Sequence, residues 1–249
     1  MVVRTLTSAT LVLLLAHMTA AQSDLLRQRA MLPFEQGLDH MRREAFDAAA
    51  TSFEAAVAFD DTFDMAYYML GRAHLARKQY AAAVYALVKC RNIHQADATR
   101  AFGNMQESEG RRREHLQDLE RLISGLQVIK PQTPRIQEQI RQLEERKRQI
   151  QDLDRTRGLD ATRAVPGFVS LSLGSAYFRN GDLPQAEQAY LAAIAADPKI
   201  GEAHNNLAVV YLETGRYAEA DRAVRAAEKT GVRVSPELKA EIQAKIKSS

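Results

Sequence analysis

Six histidines, one cysteine and a run of three arginines are the side chains best suited to chemistry, and none stands in a pattern that performs it. No His-Glu-x-x-His, Gly-x-Ser-x-Gly or phosphate-cradling glycine loop occurs, so the arrangements that hold zinc, raise a nucleophile or grip a nucleotide are missing. His40 and His74 lie 34 residues apart, a spacing at which a metal pair is conceivable, but a histidine satisfied within the core is the ordinary outcome. Cys90 has no second cysteine to pair with and takes a repeat position that favours a small residue, so it reads as a small buried apolar residue. Arg111-Arg112-Arg113 is bracketed by Glu107, Glu109 and Glu114, which is the pattern of a solvated helix face. Accordingly, no enzyme activity, catalytic residue, metal or cofactor is expected.

The elements that hold these residues follow from a period. From Gly167, residues Leu173, Gly174, Tyr177, Gly181, Ala186, Tyr190, Ala193 and Pro198 stand at positions 7, 8, 11, 15, 20, 24, 27 and 32. From Gly201, Leu207, Ala208, Tyr211, Gly215, Tyr217, Ala220 and Ala227 repeat most of that order. From Asp64, Leu70, Gly71, Tyr80, Ala83 and Leu87 do the same, and a weaker copy from Ala30 keeps Gly37, Phe46, Ala49, Phe53 and Ala56. Small residues at positions 8 and 20 let two helices cross closely, and aromatic residues at 11 and 24 fill the gap beside them. Gly181 and Gly215 fall between the helices, where a short turn wants a positive φ. One such hairpin cannot bury its own apolar face, so copies must stack.

This pattern resembles the tetratricopeptide repeat over residues 30–63, 64–97, 167–200 and 201–234. The resemblance implies an all-α fold, a right-handed superhelix whose concave face is lined by the first helix of each repeat. It also implies a surface for protein or peptide partners. On that geometry the concave wall carries Phe34 in the first repeat and Tyr68 and Arg72 in the second. The third adds Phe168, Leu171, Ser175 and Arg179, and the fourth adds Asn205 and Asn206. Asn206 matches an asparagine with which some members hold a peptide backbone. The Lys/Asn/Arg clamp by which cytosolic chaperone adaptors grip a terminal carboxylate is absent. The wall is otherwise aromatic and aliphatic, suited to an amphipathic helix or an extended apolar peptide, unless the chain's own terminal helix meets part of it.

Residues 98–166 break the period. Leu116, Leu119, Ile123 and Leu126, and then Ile136, Ile140, Leu143, Ile150 and Leu153, recur at spacings of mostly three and four between charged residues. Two such seams around Lys130-Pro131-Gln132-Thr133-Pro134 predict a long antiparallel helical hairpin of coiled-coil type, the first helix about 30 residues long and about 45 Å in span. The second helix should end at Arg157-Gly158. The hairpin is either a spacer or an arm that docks or self-associates into a homo-oligomer.

At the ends, Arg4, the apolar run Leu11–Ala16 and small residues at Thr19, Ala20 and Ala21 have the three parts of a secretory signal peptide, residues 1–21. The apolar run is short for a spanning helix, so no membrane span is expected after cleavage, with an uncleaved anchor as the alternative. Ser235-Pro236-Glu237 opens a capping helix over 235–249, with Leu238, Ile242 and Ile246 on one face. A net charge of +3 is too small to argue for nucleic acid. The reading is an exported interaction scaffold, periplasmic or secreted; the rival is a structural envelope protein that oligomerises through its hairpin.

Overall fold

A computed structural model of the chain describes the backbone of residues 8–101, 105–130, 133–156 and 165–248, and the side chains of 24–98, 110–130, 133–151 and 165–248. Helices α1 (Ser8–Arg42), α2 (Phe46–Phe59), α3 (Asp64–Ala76) and α4 (Tyr80–Ala101) form the N-terminal repeats. Helices α5 (Met105–Gln127) and α6 (Pro134–Thr156) form the hairpin. Then come α7 (Gly167–Arg179), α8 (Leu183–Ala196), α9 (Gly201–Glu213), α10 (Tyr217–Lys229) and the terminal α11 (Pro236–Ser248). The fold is all-helical.

Each repeat is a pair of helices, and in the first three the pair is locked where a glycine meets a large side chain. A Cβ on Gly37 would come within 2.5 Å of the Phe53 ring, one on Gly71 within 2.5 Å of Leu87, and one on Gly174 within 2.6 Å of Tyr190. In the fourth repeat Ala208 takes the glycine position and Val224 the large one, so a small gain on one helix accompanies a loss on the other; both are buried. Ala49, Ala83, Ala186 and Ala220, at position 20 of each copy, are fully buried. Between the helices, Gly181 and Gly215 adopt φ of 84° and 74°, and Glu44 and Lys78 occupy the same place in the first two repeats at 57° and 59°. The last two residues hold a backbone that costs an L-side chain about 1–2 kcal/mol.

The loops between repeats reuse one device. Asp60 Oδ1 accepts the Thr62 amide at 2.9 Å, and Asp197 Oδ1 accepts the Lys199 amide at 2.9 Å. At the C-terminus, Ser235 Oγ accepts the Leu238 amide at 3.1 Å and caps α11, whose Ile242 is buried in the core of the fourth repeat.

The stack is continuous in space. Helix α4 packs directly on α7, so the third repeat sits on the second as the fourth sits on the third, and α5–α6 is an excursion from an unbroken array. Two features differ from the sequence expectation. Helix α4 runs past residue 97 to Ala101, since neither proline nor glycine interrupts it there, and α5 is therefore 23 residues long rather than about 30. Helix α6 ends at Thr156, and Arg157-Gly158 lies outside the described residues. The leader expected over 1–21 also lies outside them, apart from its helical backbone from Ser8. Among the described residues no helix is long and apolar enough to cross a membrane.

Candidate binding cleft

The hairpin folds back over the first helices of the repeats, α1, α3 and α7. Leu119, Leu122, Ile123 and Leu143 are buried in the same core as Phe34, Tyr68 and Phe168. Polar contacts add to this. Arg42 donates to the Gly125 carbonyl at 3.2 Å, and Gln149 donates to the loop carboxylate of Asp197 at 2.5 Å. Between array and hairpin remains a cleft of about 1020 Å³, walled by α1, α3 and α7 on one side and by α5 and α6 on the other.

Arg146 of α6 closes one end of that cleft. Its guanidinium lies 4.0 Å from the centroid of Phe168 and 5.8 Å from that of Tyr68, and Nη1 donates to the Tyr68 hydroxyl at 3.3 Å. Tyr68 and Phe168 meet edge to face, centroids 4.8 Å apart. Arg72 of α3 approaches the same Tyr68 ring at 5.9 Å, and Ser172 lies against its hydroxyl. Burial works to raise the Tyr68 phenol, but Arg146 and Arg72 outweigh it and hold the phenol below its ordinary value. Burial, with Arg72 nearby, pulls the Arg146 guanidinium below its ordinary value.

Residues 34–89 and 171–230 match the tetratricopeptide repeat profile. These two segments are tetratricopeptide repeats. No curated protein matches the chain. Among solved structures, PilW, a widely conserved type IV pilus biogenesis factor, is 14% identical over 88% of this chain and 87% of its own, at a TM-score of 0.42. TTC0263, a thermophilic TPR protein of Thermus thermophilus, is 18% identical over 87% and 98%, at 0.35. The TPR2AB domain of yeast Sti1, in its pHSP90 complex, is 15% identical over 87% and 98%, at 0.30. Each is a likeness of fold alone.

The nine residues expected on the tetratricopeptide-repeat wall divide into three sets. Tyr68, Arg72, Phe168 and Leu171 gather around the Arg146 end of the cleft. Ser175, Arg179, Asn205 and Asn206 gather instead about the Tyr190 hydroxyl on the C-terminal repeats. Ser175 accepts from that hydroxyl at 3.4 Å and donates to the Leu171 carbonyl at 3.0 Å; Asn205 lies 3.5 Å from Asn206, which also bonds Tyr190. Phe34 must be removed from the wall. It is fully buried between Phe53 and Phe63, with ring centroids at 5.8 and 4.7 Å, because the α2–α3 loop turns Phe63 over it. The N-terminal part of the wall meets the hairpin and not the terminal helix.

A second constellation, missed in the sequence, fastens the hairpin. His115 Nδ1 of α5 bonds Asp64 Oδ2 at 3.1 Å, and His94 Nε2 of α4 lies 3.4 Å from the same oxygen. The two rings meet at right angles, centroids 5.8 Å apart. Nearby, Arg27 joins Asp60 at 2.6 Å and Asp118 of α5 at 3.7 Å while covering the Phe63 ring at 3.9 Å. Burial lowers His94 to about 4, helped by the charge on His115 and opposed by Asp64. Burial opposes charge on His115 too, but the Asp64 carboxylate it directly bonds prevails and its pKa rises. Burial and Asp64 lift Asp118 to about 6, against Arg27 and Arg121. Among the described residues no group of three His, Cys, Asp or Glu could hold a metal ion. His74 bonds Gln79 at 2.9 Å within the turn, and Cys90 is buried with its thiol pushed up by that burial.

A sequence signal for Arg146 did exist. The α6 seam skips from Leu143 to Ile150, and Arg146 and Lys147 fall in the gap. Lys147 pairs across the hairpin with Glu120 at 2.7 Å, and Arg146 faces the array. His115 and Asp64, 51 residues apart, left no comparable mark.

Proposed function

We propose that this chain is an exported scaffold that binds a protein or peptide segment of the cell envelope in the cleft between its N-terminal repeats and its hairpin. The observation that carries the reading is the cleft itself: about 1020 Å³ of space remains where a helical insertion lies over a repeat groove. Its walls are mixed. Leu38, Met41, Leu143 and Leu171 supply apolar area, and arginines and hydroxyls at its Arg146 end supply orientation. That combination suits a peptide, which needs apolar anchors and a few polar groups to fix its register. Export rests on the pattern of residues 1–21, whose cleavage after Ala21 would leave a mature chain beginning at Gln22.

The test is site-specific photo-crosslinking in the native envelope, with an intact-mass measurement of the recovered chain. A photoreactive residue at Ser124 or Gln139, both lining the cleft, should capture one discrete partner, while the same residue at Tyr85, 63% exposed on α4, should not. Capture at Tyr85 with none in the cleft would move the working surface to the outer face. A mass retaining Met1 would replace cleavage by anchoring.

A further inference from the structure

We propose that the Arg146 end of the cleft is a carboxylate-binding site, in which Arg72 of the repeat array and Arg146 of the hairpin jointly grip an acidic group of the bound segment. This deepens the binding reading above and rests on it. The first observation is charge balance within the cleft. Of the arginines lining it, Arg42 pairs with Asp39 at 2.7 Å, Arg121 with Asp118 at 3.4 Å and Arg135 with Glu44 at 3.6 Å. Among the described residues Arg72 and Arg146 pair with no carboxylate, and Glu202 acts on Arg146 only at longer range. The lining carboxylates Glu44 and Glu120 are taken by Arg135 and Lys147, and Glu35 stands on α1.

The second observation is placement. Both guanidiniums are held on one aromatic ring, Tyr68, and Arg146 is also stacked on Phe168, so their positions are set before any ligand arrives. A guanidinium has five N–H donors in a rigid fork, and Arg146 directs one to the Tyr68 hydroxyl. The remaining donors, with the charge of Arg72, match the two oxygens of a carboxylate. Burial and the nearby Arg72 disfavour the charge on Arg146, and an anion beside it would offset both. Because one arginine belongs to the array and the other to the hairpin, the ligand would also tie the two together.

The probe is fluorescein-labelled hexaglutamate, with C-terminally amidated hexaglutamine and C-terminally amidated hexaglutamate beside it, followed by fluorescence polarisation on the full chain. Hexaglutamate should bind and hexaglutamine should not. Arg72→Gln and Arg146→Gln should each weaken binding at least tenfold. Arg225→Gln, which removes a charge 70% exposed on α10, should change it less than twofold. Arg72→Gln breaks no hairpin contact, so it remains informative if Arg146→Gln loosens the fold, which circular dichroism would report. Retained binding of the amidated peptide assigns the site to side-chain carboxylates, and lost binding assigns it to a chain terminus. Equal losses in all three variants, or equal binding of hexaglutamine, would overturn the proposal. If hexaglutamate fails while cleft crosslinks still capture a partner, the carboxylate site falls and the scaffold stands.

Discussion

The residues that decide this molecule's interior are pairs rather than singles. Gly37 with Phe53, Gly71 with Leu87 and Gly174 with Tyr190 were legible because each pair recurs at one spacing, and a period can be read without knowing the fold. The Asp64, His94 and His115 group was illegible for the opposite reason: it occurs once, and its members meet only because α5 lands on α3 and α4. That group makes stability depend on pH in two opposed ways. His94 is about 4 when folded and near 6.5 when free, so the neutral form favours folding. Its contribution is intact above pH 6.5 and is lost as pH falls toward 4. His115 is raised, so its contribution is full below 6.5 and is lost as pH rises through its folded value. Replacing His94 by Gln should therefore remove an acid-sensitive loss. At pH 4.5 the variant should gain about 2–3 kcal/mol on the parent relative to pH 7, read from urea midpoints at the two pH values. A constant difference would show that His94 titrates alike folded and unfolded.

At the scale of elements, the hairpin is an insertion and not a link. Its seams were visible in the sequence because Leu119, Ile123, Ile140 and Leu143 keep a helical spacing among charged neighbours. Its destination was not, because the same spacing serves a free arm, a dimer or a docked strap equally well. The array decides: α4 packs on α7 directly, with neither α5 nor α6 between them. Replacing residues 105–156 by a short Gly/Ser linker should thus leave a folded array that melts in one transition, since neighbouring repeats remain coupled through the α4–α7 interface. It should also uncover Tyr68 and Phe168, which Arg146 now covers, and raise the binding of an apolar dye. Two separate melting transitions would mean that the hairpin, and not the α4–α7 contact, joins the two halves.

The whole molecule is close to one-dimensional, each repeat resting on its neighbours, and this shapes how it must open. Stability in such an array is a sum of repeat and interface contributions, so damage at one end should spread by distance rather than everywhere at once. The N-terminal half is reinforced from the side by the hairpin, through Leu119, Leu122 and the ion pairs of Arg27. At the other end the fourth repeat is covered by α11, anchored by Ile242, which is 1% exposed, while Ile246 on the same face is 39% exposed. Truncating Ile242 to Ala should cost about 2–4 kcal/mol locally, from lost burial and the cavity left behind. Hydrogen exchange would then rise first in α9 and α10, less in α7 and α8, and least in α3 and α4 behind the hairpin. Equal acceleration in α3 and α9 would show that the chain unfolds as one unit, and the view of a stack with one braced end and one open end would fail.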